Sequence, residues 1–345
     1  MIVENLLATI GNTPLVKLRH LSDTHGFPIY AKIESFNPSM SIKDRAVCHI
    51  IEEAEKSGEL KPGMTLIDAT SGNTGLSIAF IALIKGYKCV LTIKDNSAPS
   101  KIKQLQMYGA RVIACPVGVK SDDPLSYYSM AKYLADTIPN SYFIDQNNNP
   151  KHLEAHYTGL GPELWEETAG KLTHLIASAS TGGCISGVGK FLKEQNKNIK
   201  VICADSKGSV LKPFHLSGAM SASVAKKTIL EGVGKDIIPK VFRTEYIDEC
   251  IEIEDHKSIY YAQELLKREG LFIGGSAGAS IDALLKYIAK NPKEKIGMAV
   301  LIFADHGIKY MGKLYEVAEL PESAEQVRTK IAGKNKKMVA ENILS

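Results

Sequence analysis

Short apolar runs alternate with stretches of helical periodicity along most of the chain. The apolar runs predict strands over 14–18, 29–34, 65–68, 88–93, 111–115, 142–144, 173–177, 201–204, 250–252 and 298–303. Apolar residues three to four positions apart predict helices over 41–54, 74–84, 100–108, 125–135, 154–167, 257–268 and 279–289, and a further helix after Gly187. Strands and helices are therefore expected to alternate from one end of the pattern to the other.

This alternation indicates the fold class. Strands that alternate so regularly with helices imply an α/β fold with parallel sheets covered on both faces, here two of them. A chain of 345 residues with 44% hydrophobic residues can bury two moderate cores, and the usual size of a domain favours two domains. An irregular region over 206–239 interrupts the pattern, and the polar tail beyond Glu319 is interpreted as a solvated end.

Composition and charge narrow the class of protein. The net charge of +4 comes from interleaved charges, which does not suggest a nucleic-acid partner. The first residues lack the basic and apolar regions of a signal peptide, and no apolar run reaches membrane-spanning length, so we expect a soluble cytoplasmic protein with no membrane contact. Six cysteines without a CxxC pattern indicate reduced thiols and argue against disulfides and a zinc site.

The first candidate for chemistry is Lys43, in the stretch 37–45. Ser41 is predicted to cap a helix with Asp44 as its capping-box partner, which places Lys43 in the first turn. The helix dipole disfavours an ammonium there, and partial burial would lower the pKa of the lysine further. A neutral amine condenses with aldehydes, so Lys43 is a candidate Schiff-base residue, although a solvated lysine is the commoner alternative at such a position.

Three strand-to-helix turns carry candidate binding groups, at the end of the strands where open α/β sheets bind ligands. In 70–75, hydroxyls, an amide and backbone N–H groups suit a carboxylate, although an ordinary polar cap has the same composition. In 178–187, small residues before a helix let N–H groups converge on an anion, and the spacing favours a monophosphate over a dinucleotide or a nucleoside triphosphate. In 274–278, Ser276 could hydrogen-bond a ligand atom. Either of the last two turns alone could be a tight connection.

Two other features are discounted as chemistry. His152, Glu154 and His156 place two imidazoles on one face of a helix, but the pattern is not HExxH and no third ligand is obvious, so we expect no metal site. The thiol of Cys184 is interpreted as a small loop side chain, since no base is visibly assigned to it.

Five motifs together resemble the pyridoxal-phosphate enzymes of fold type II. They are 10–15, 37–45, 70–75, 178–187 and 274–278, in the order and approximate spacing of that group, and the similarity runs from about Leu7 to about Tyr315. Within the group, the sequence is similar to the cysteine synthase and cystathionine β-synthase family. The resemblance implies a tryptophan synthase β-like fold with a larger cofactor-binding domain (1–36 and 151–318), a smaller, mobile domain for the substrate carboxylate (37–150) and a C-terminal tail (319–345).

The resemblance also implies a role for each motif. Lys43 would hold pyridoxal 5′-phosphate through a Schiff base and later move protons at the substrate, Asn73 would bond the ring hydroxyl, and Ser276 would face the pyridine nitrogen. The loop implied for the cofactor phosphate contains Ser180, Thr181, Gly182, Gly183, Cys184 and Ser186. The residues implied for the substrate carboxylate are Thr70, Ser71, Thr74 and Gln146.

The implied reaction is β-replacement on an activated L-serine, namely O-acetylserine, O-phosphoserine or serine. A neutral serine at the pyridine nitrogen would leave the ring only moderately electron-withdrawing, which favours prompt loss of a β-leaving group. A second nucleophile would then add at Cβ of an aminoacrylate intermediate, making cysteine or cystathionine in sulfur amino-acid metabolism. The implied partners are small amino-acid substrates and, by resemblance alone, a second copy of the chain in a homodimer.

Finer motifs leave the donor and the acceptor open. Ile42 and Asp44 favour β-replacement over the serine and threonine dehydratases, and 205–209, 231–234 and 274–278 look more like cystathionine β-synthase than typical cysteine synthases. Residues 94–99 are similar to siderophore-pathway members that join O-phosphoserine to glutamate. Departures from the usual family residues are Ser39-Met40, Ser180, Cys184 and Asn147. Sulfide, homocysteine and an amine such as glutamate all stay candidate acceptors, and a binding scaffold with dead chemistry is the alternative from another class.

Overall fold

The computed structural model describes residues 2–70, 72–120, 123–219 and 228–315. The chain forms two compact units, Met1–Lys309 and Tyr310–Ser345. All strands and α-helices of the described residues lie in the first unit. In the second unit, residues 310–315 form a turn in which the Leu314 N–H donates to the Tyr310 carbonyl at 2.9 Å. The predicted tail 319–345 lies outside the described residues.

The element bounds follow the predicted alternation of strands and helices. Strands β1 to β10 are Leu15–Lys17, Ile29–Ile33, Thr65–Ala69, Lys88–Lys94, Arg111–Cys115, Ser141–Phe143, His174–Ser178, Lys200–Ser206, Glu249–Ile253 and Ala299–Phe303. Helices α1 to α11 are Arg19–His25, Lys43–Ser57, Asn73–Lys85, Pro99–Met107, Tyr127–Thr137, Pro150–Ala155, Gly161–Glu167, Gly183–Gln195, Leu211–Ser217, Asp255–Glu269 and Gly275–Lys290. A π-helical turn, His156–Leu160, joins α6 to α7, and shorter 3₁₀ turns are Leu6–Thr9, Glu34–Phe36, Thr244–Tyr246 and Gly307–Tyr310.

The strands form two sheets. One has six strands in the order β1-β2-β10-β7-β8-β9, and the other has four in the order β5-β4-β3-β6. Neighbouring strands are parallel except β1, which pairs antiparallel with β2, with Leu15 opposite Lys32. The predicted α/β class with two mostly parallel, helix-covered sheets is confirmed.

Continuous burial explains why the strands were recognisable as apolar runs. All five residues of β10 are buried, because helices cover both faces of a parallel sheet and leave no solvent-facing side. Leu175 of β7, Val201 of β8 and Val300 of β10 are fully buried members of one apolar cluster. Ile50 of α2 and Leu66 of β3 belong to a second cluster, at the four-stranded sheet.

Three local predictions are wrong. Ser41 and Asp44 do not form a capping box, because α2 begins at Lys43. The Asp44 carboxylate instead accepts hydrogen bonds from the Ser39 N–H at 2.7 Å and from the buried Ser77 hydroxyl at 2.6 Å. The irregular region contains helix α9, and part of it, 220–227, lies outside the described residues. Helix α8 begins before Gly187, because the glycine-rich turn itself supplies the first helical turn.

Two further findings concern membrane-spanning helices and the state of the cysteines. None of the described helices combines the length and the apolar character that crossing a bilayer requires. All six cysteines are free thiols, and five of them are buried: Cys48, Cys89, Cys115, Cys203 and Cys250.

Candidate active site

A cleft at the carboxyl ends of β7 and β10 brings most of the predicted site residues together. It encloses about 560 Å³, open mouth included. Predicted site residues that line it are Lys43, Asn73, Ser180, Thr181, Gly182, Cys184 and Ser276. Others along its wall are Ser41, Ile42, Ser178, Ile185, Glu231, Gly232, Ile302, Ala304 and Asp305. The position agrees with the rule that open α/β sheets bind ligands beyond the carboxyl ends of their strands.

Lys43 stands at the start of α2, with its side chain facing the cleft. Its backbone N–H donates to the Ser41 hydroxyl at 3.2 Å. Burial lowers the pKa of the Lys43 amine, and the nearby Cys184 and Asp305 offset this only in part. A larger fraction of the amine is therefore neutral, and so nucleophilic, than for a solvated lysine.

The turn before Lys43 is fixed by the buried carboxylate of Asp44. This carboxylate accepts hydrogen bonds from the Ser39 N–H, the Ser39 hydroxyl and the Ser77 hydroxyl of α3. Burial raises the pKa of Asp44, and the three hydrogen bonds and Lys309 act against that rise. Asp44 thus ties the lysine turn to the neighbouring helix.

Arg45 anchors the same turn on its other side. Its guanidinium donates to Glu34 through Nε at 2.7 Å and through Nη2 at 2.9 Å, and to Glu163 through Nη1 at 2.7 Å. Burial alone would lower the pKa of Arg45, but Glu34 and Glu163 raise it above its ordinary value. Arg45 and Glu34 are buried, and Lys32 adds a second cation 2.5 Å from Glu163. This buried ionic network fixes α2 two residues beyond Lys43.

Residues 180–184 form a tight turn that leads into helix α8. Gly182 has a φ of +81°, which favours glycine, and α8 begins at the next residue. A Cβ on Gly182 would collide with Phe242, and one on Gly183 would lie 2.6 Å from Cδ2 of His152. The side chains of Phe242 and His152 therefore pack directly against the backbone of this turn. Its backbone N–H groups and the α8 dipole suit a phosphate. Ser186, by contrast, accepts from the Arg243 N–H at 2.9 Å and is not among the described lining residues.

Gly183→Ala is expected to weaken binding of the cofactor by about tenfold or more, because the His152 ring must shift and move the loop with it. Fluorescence titration of the apoprotein with pyridoxal phosphate measures this. Gly159→Ala is the matched control, since no atom lies within 4 Å of a Cβ built there. Equal affinities for the two variants would contradict the assignment.

The Cys184 thiol lies beside Lys43 in the cleft. Burial raises its pKa to about 12, and the nearby Lys43 offsets only part of that. The thiol stays protonated at neutral pH, and only a thiolate is an effective nucleophile. A nucleophilic role for Cys184 is therefore disfavoured, as expected, but the residue lies in the first turn of α8 and not in a loop.

Asn73 is held from both sides at the start of α3. Its Nδ2 donates to Asp305 at 2.6 Å, and its Oδ1 accepts from Lys309 Nζ at 2.7 Å. Lys309 also donates to the Ser39 carbonyl at 2.8 Å. Burial lowers the pKa of Lys309, while Asp305 and Asp44 oppose this. The amide of Asn73 is therefore oriented before any ligand binds.

The turn 70–75 is built around two threonines. The Thr70 hydroxyl accepts from the Gly72 N–H at 3.1 Å and from the Gly75 N–H at 2.8 Å, so it shapes the turn from within. The Thr74 hydroxyl donates to Gln146 Oε1 at 2.5 Å, which brings two predicted carboxylate-binding residues together. Ser71, also predicted to bind the carboxylate, lies outside the described residues.

His152 and His156 form a buried, neutral pair behind the turn 180–184. His152 Nδ1 donates to the Gln146 carbonyl at 2.7 Å, and the ring centroids are 5.7 Å apart. Burial lowers the pKa of His152 to about 3 and that of His156 well below its ordinary value. In the described part of the chain, no group of three or more His, Cys, Asp or Glu side chains could hold a metal ion.

Three residues of the site were missed by the sequence reasoning. Asp305 lies two residues beyond the end of strand β10, so the rule that ligands bind at strand ends could have identified it. Glu231 lines the cleft from the irregular region and was noted only as part of a motif. Lys309 is separated from Asn73 by 236 positions, and no local pattern indicates that contact.

The residues of the cleft fit the pyridoxal phosphate that the resemblance implies. Lys43 offers an amine of lowered pKa, and 180–184 offers backbone donors at a helix start. Asn73 and Ser276 add neutral hydrogen-bonding groups in the same cleft. The amine suits the aldehyde of pyridoxal phosphate, the backbone donors suit its phosphate, and the neutral groups suit its polar ring.

Comparisons with known proteins point to the same chemistry. A family described as "Pyridoxal-phosphate dependent enzyme" matches residues 6–304. Cystathionine β-synthase of Apis mellifera is 40% identical over 314 residues, which cover 90% of this chain and 61% of that protein. Cysteine synthase B of Escherichia coli is 35% identical over 312 residues, which cover 90% of this chain and 95% of that protein.

A solved structure shares the fold. The crystal structure of O-ureido-L-serine synthase matches with a TM-score of 0.82 and 26% identity, covering 96% of this chain and 100% of that chain. The chain spans about three fifths of the length of the cystathionine β-synthase of Apis mellifera, 61% by alignment. The matches confirm the fold type and the resemblance drawn from the five motifs.

Proposed function

The chain belongs to the family of pyridoxal-phosphate dependent enzymes, and from that premise we propose that it catalyses β-replacement on an activated L-serine. The observation that carries the proposal is the single cleft shared by Lys43, Asn73, the 180–184 loop and Ser276. The similarity to cystathionine β-synthases and cysteine synthase B supports β-replacement over other reactions of the cofactor. The products that we propose are cysteine or cystathionine.

Lys43 is proposed to hold the cofactor and to move the proton at the substrate Cα. Bound pyridoxal phosphate supplies an electron sink for that step. An amine whose pKa is lowered by burial releases its proton more readily than a solvated lysine does, which suits a group that must take up a proton and pass it on. The buried networks of Asp44 and Arg45 keep this amine in one position relative to the cleft.

The other cleft residues are proposed to bind and orient. Asn73, held by Asp305 and Lys309, would fix the ring through its hydroxyl. Ser276, at the start of α11, would give the ring nitrogen a neutral partner, which favours loss of a β-leaving group over a long-lived carbanion.

The substrate carboxylate is proposed to bind at the 70–75 turn. Thr70, Ser71 and Thr74 belong to that turn, and Gln146 is already bonded to Thr74. Backbone N–H groups at the start of α3 add the favourable end of a helix dipole. Closure of a mobile domain, 37–150, over the bound substrate would exclude water from the reaction.

A second candidate is a synthase that joins O-phosphoserine to an amine such as glutamate. The observation in its favour is the 94–99 segment, which is similar to the siderophore-pathway members. The match to O-ureido-L-serine synthase supports acceptors other than sulfide or homocysteine. Cytoplasmic location and a homodimer are also proposed, on the family resemblance, and sedimentation velocity at several concentrations tests the dimer.

A donor and acceptor screen tests the proposal. The purified holoprotein is mixed with O-acetylserine, O-phosphoserine or L-serine, each with sulfide, homocysteine or glutamate, and products are identified by mass spectrometry. We expect one donor to change the visible spectrum and to yield a new C–S or C–N product only when the acceptor is present. A cofactor-loaded protein whose spectrum no donor changes would contradict the proposal and favour the binding scaffold.

A further inference from the structure

The imidazole of His152 lies between two parts of the site that we assign to different ligand groups. Its Nδ1 donates to the carbonyl of Gln146 at 2.7 Å. Its Cδ2 and Nε2 atoms lie against Gly183, where an added Cβ would be only 2.6 Å and 2.8 Å from them. The side chain therefore contacts both a residue implied for the substrate carboxylate and the turn 180–184 that suits the cofactor phosphate.

Gln146 connects this imidazole to the 70–75 turn. Its Oε1 accepts from the Thr74 hydroxyl at 2.5 Å, and its Nε2 donates to the Ala69 carbonyl at 3.2 Å. A hydroxyl has a single proton to donate, so Thr74 cannot donate to Gln146 and to a substrate carboxylate at the same time. Binding of a carboxylate at this turn is therefore expected to break the bond between Thr74 and Gln146 and to rearrange Gln146.

The His152 ring has little room to absorb a displacement of Gln146. It is buried, and the fully buried His156 ring packs beside it with the ring centroids 5.7 Å apart. In the described part of the chain, Nε2 of His152 has no hydrogen-bond partner, so the bond from Nδ1 to Gln146 orients the ring. A closely packed interior transmits a displacement to its neighbours. Here the neighbour is Gly183, at the start of α8.

We propose that His152 is a positioning residue that couples binding of the substrate carboxylate at 70–75 to binding of the cofactor phosphate at 180–184. When a carboxylate accepts the Thr74 hydroxyl, the rearranged Gln146 shifts the imidazole, and the imidazole shifts Gly183 and the N–H groups that begin α8. By thermodynamic linkage, the carboxylate and the cofactor change each other's affinity by the same factor. This inference rests on the proposed function.

The coupling is measured first on the wild-type protein, with propionate as the probe. Propionate has the carboxylate of the donor but no amine, so it does not condense with the cofactor. The apoprotein is titrated with pyridoxal phosphate over a range of propionate concentrations at constant ionic strength. We expect propionate to change the Kd of the cofactor by about fivefold or more. Propionamide, which is uncharged, should leave that Kd unchanged. A Kd that propionate does not change would overturn the inference.

Two variants each remove one contact of His152. His152→Asn keeps an N–H donor for the Gln146 carbonyl but loses the ring edge at Gly183, and His152→Phe keeps a ring there but has no N–H to donate. In both, the effect of propionate on the cofactor Kd should fall below about twofold. A purely structural role would change the Kd alike with and without propionate. A wild-type propionate effect in either variant would therefore overturn the inference.

His174→Phe is the matched control. His174 is also a buried imidazole, 3.1 Å from Glu294, but it begins β7, at the end of that strand opposite the cleft. This control should keep the wild-type effect of propionate. In the holoprotein, the ³¹P resonance of the bound cofactor should move on addition of propionate in the wild type and the control, and stay in place in both His152 variants. A wild-type protein that binds no pyridoxal phosphate would instead overturn the proposed function.

Discussion

Lys43→Ala is expected to lower turnover by about 1,000-fold or more, because it removes the amine that we propose both holds the cofactor and acts as the base at the substrate Cα. Steady-state assays with the donor and acceptor found in the screen measure the loss. Added pyridoxal phosphate should not restore activity, since the missing amine also moves the proton.

Lys56→Ala is the matched control for that result. Lys56 lies on the same helix, α2, but its side chain is 71% exposed and pairs with the neighbouring Glu53. We expect this control to retain full turnover. If Lys43→Ala also retained it, the catalytic assignment of Lys43 would be wrong, and the binding scaffold would become the better explanation.

Arg45→Met is expected to lower the free energy of unfolding by about 3–5 kcal/mol, because it leaves the buried Glu34 carboxylate without its cation and Glu163 with Lys32 alone. Urea unfolding followed by circular dichroism measures the change. Activity should fall as well, since Arg45 holds the turn that carries Lys43.

The exposed pair Lys290 and Glu249 provides the comparison for this stability effect. Lys290→Met should cost no more than about 1 kcal/mol, because its side chain is 65% exposed and solvent screens the pair. Similar losses for Arg45→Met and Lys290→Met would show that the buried ionic network contributes no more than a surface ion pair.

Regular burial made most of the fold predictable. Strand β10 is apolar without interruption because helices cover both faces of the sheet, so its sequence alone indicates a buried strand. The short helices α1 and α9 were not predicted. Their short lengths give little periodicity, so the pattern could not define them.

The parts of the candidate site that could be predicted are those with a recognisable local sequence, such as the turns after strands. The turns at 70–75 and 178–187 and the lysine at position 43 were found from local composition and spacing. Contacts that depend on the folded chain were not: Lys309 reaches Asn73, and Glu231 reaches Lys101, across long stretches of sequence. The capping prediction for Ser41 and Asp44 failed for the same reason, because the buried hydroxyl of Ser77 draws the Asp44 carboxylate.

Borohydride reduction of the protein loaded with pyridoxal phosphate, followed by peptide mass spectrometry, tests the central assignment most directly. We expect one pyridoxyl-phosphate group per chain, on the peptide that contains Lys43, and no such label in Lys43→Ala. A label on another lysine, or none at saturating cofactor, would contradict it.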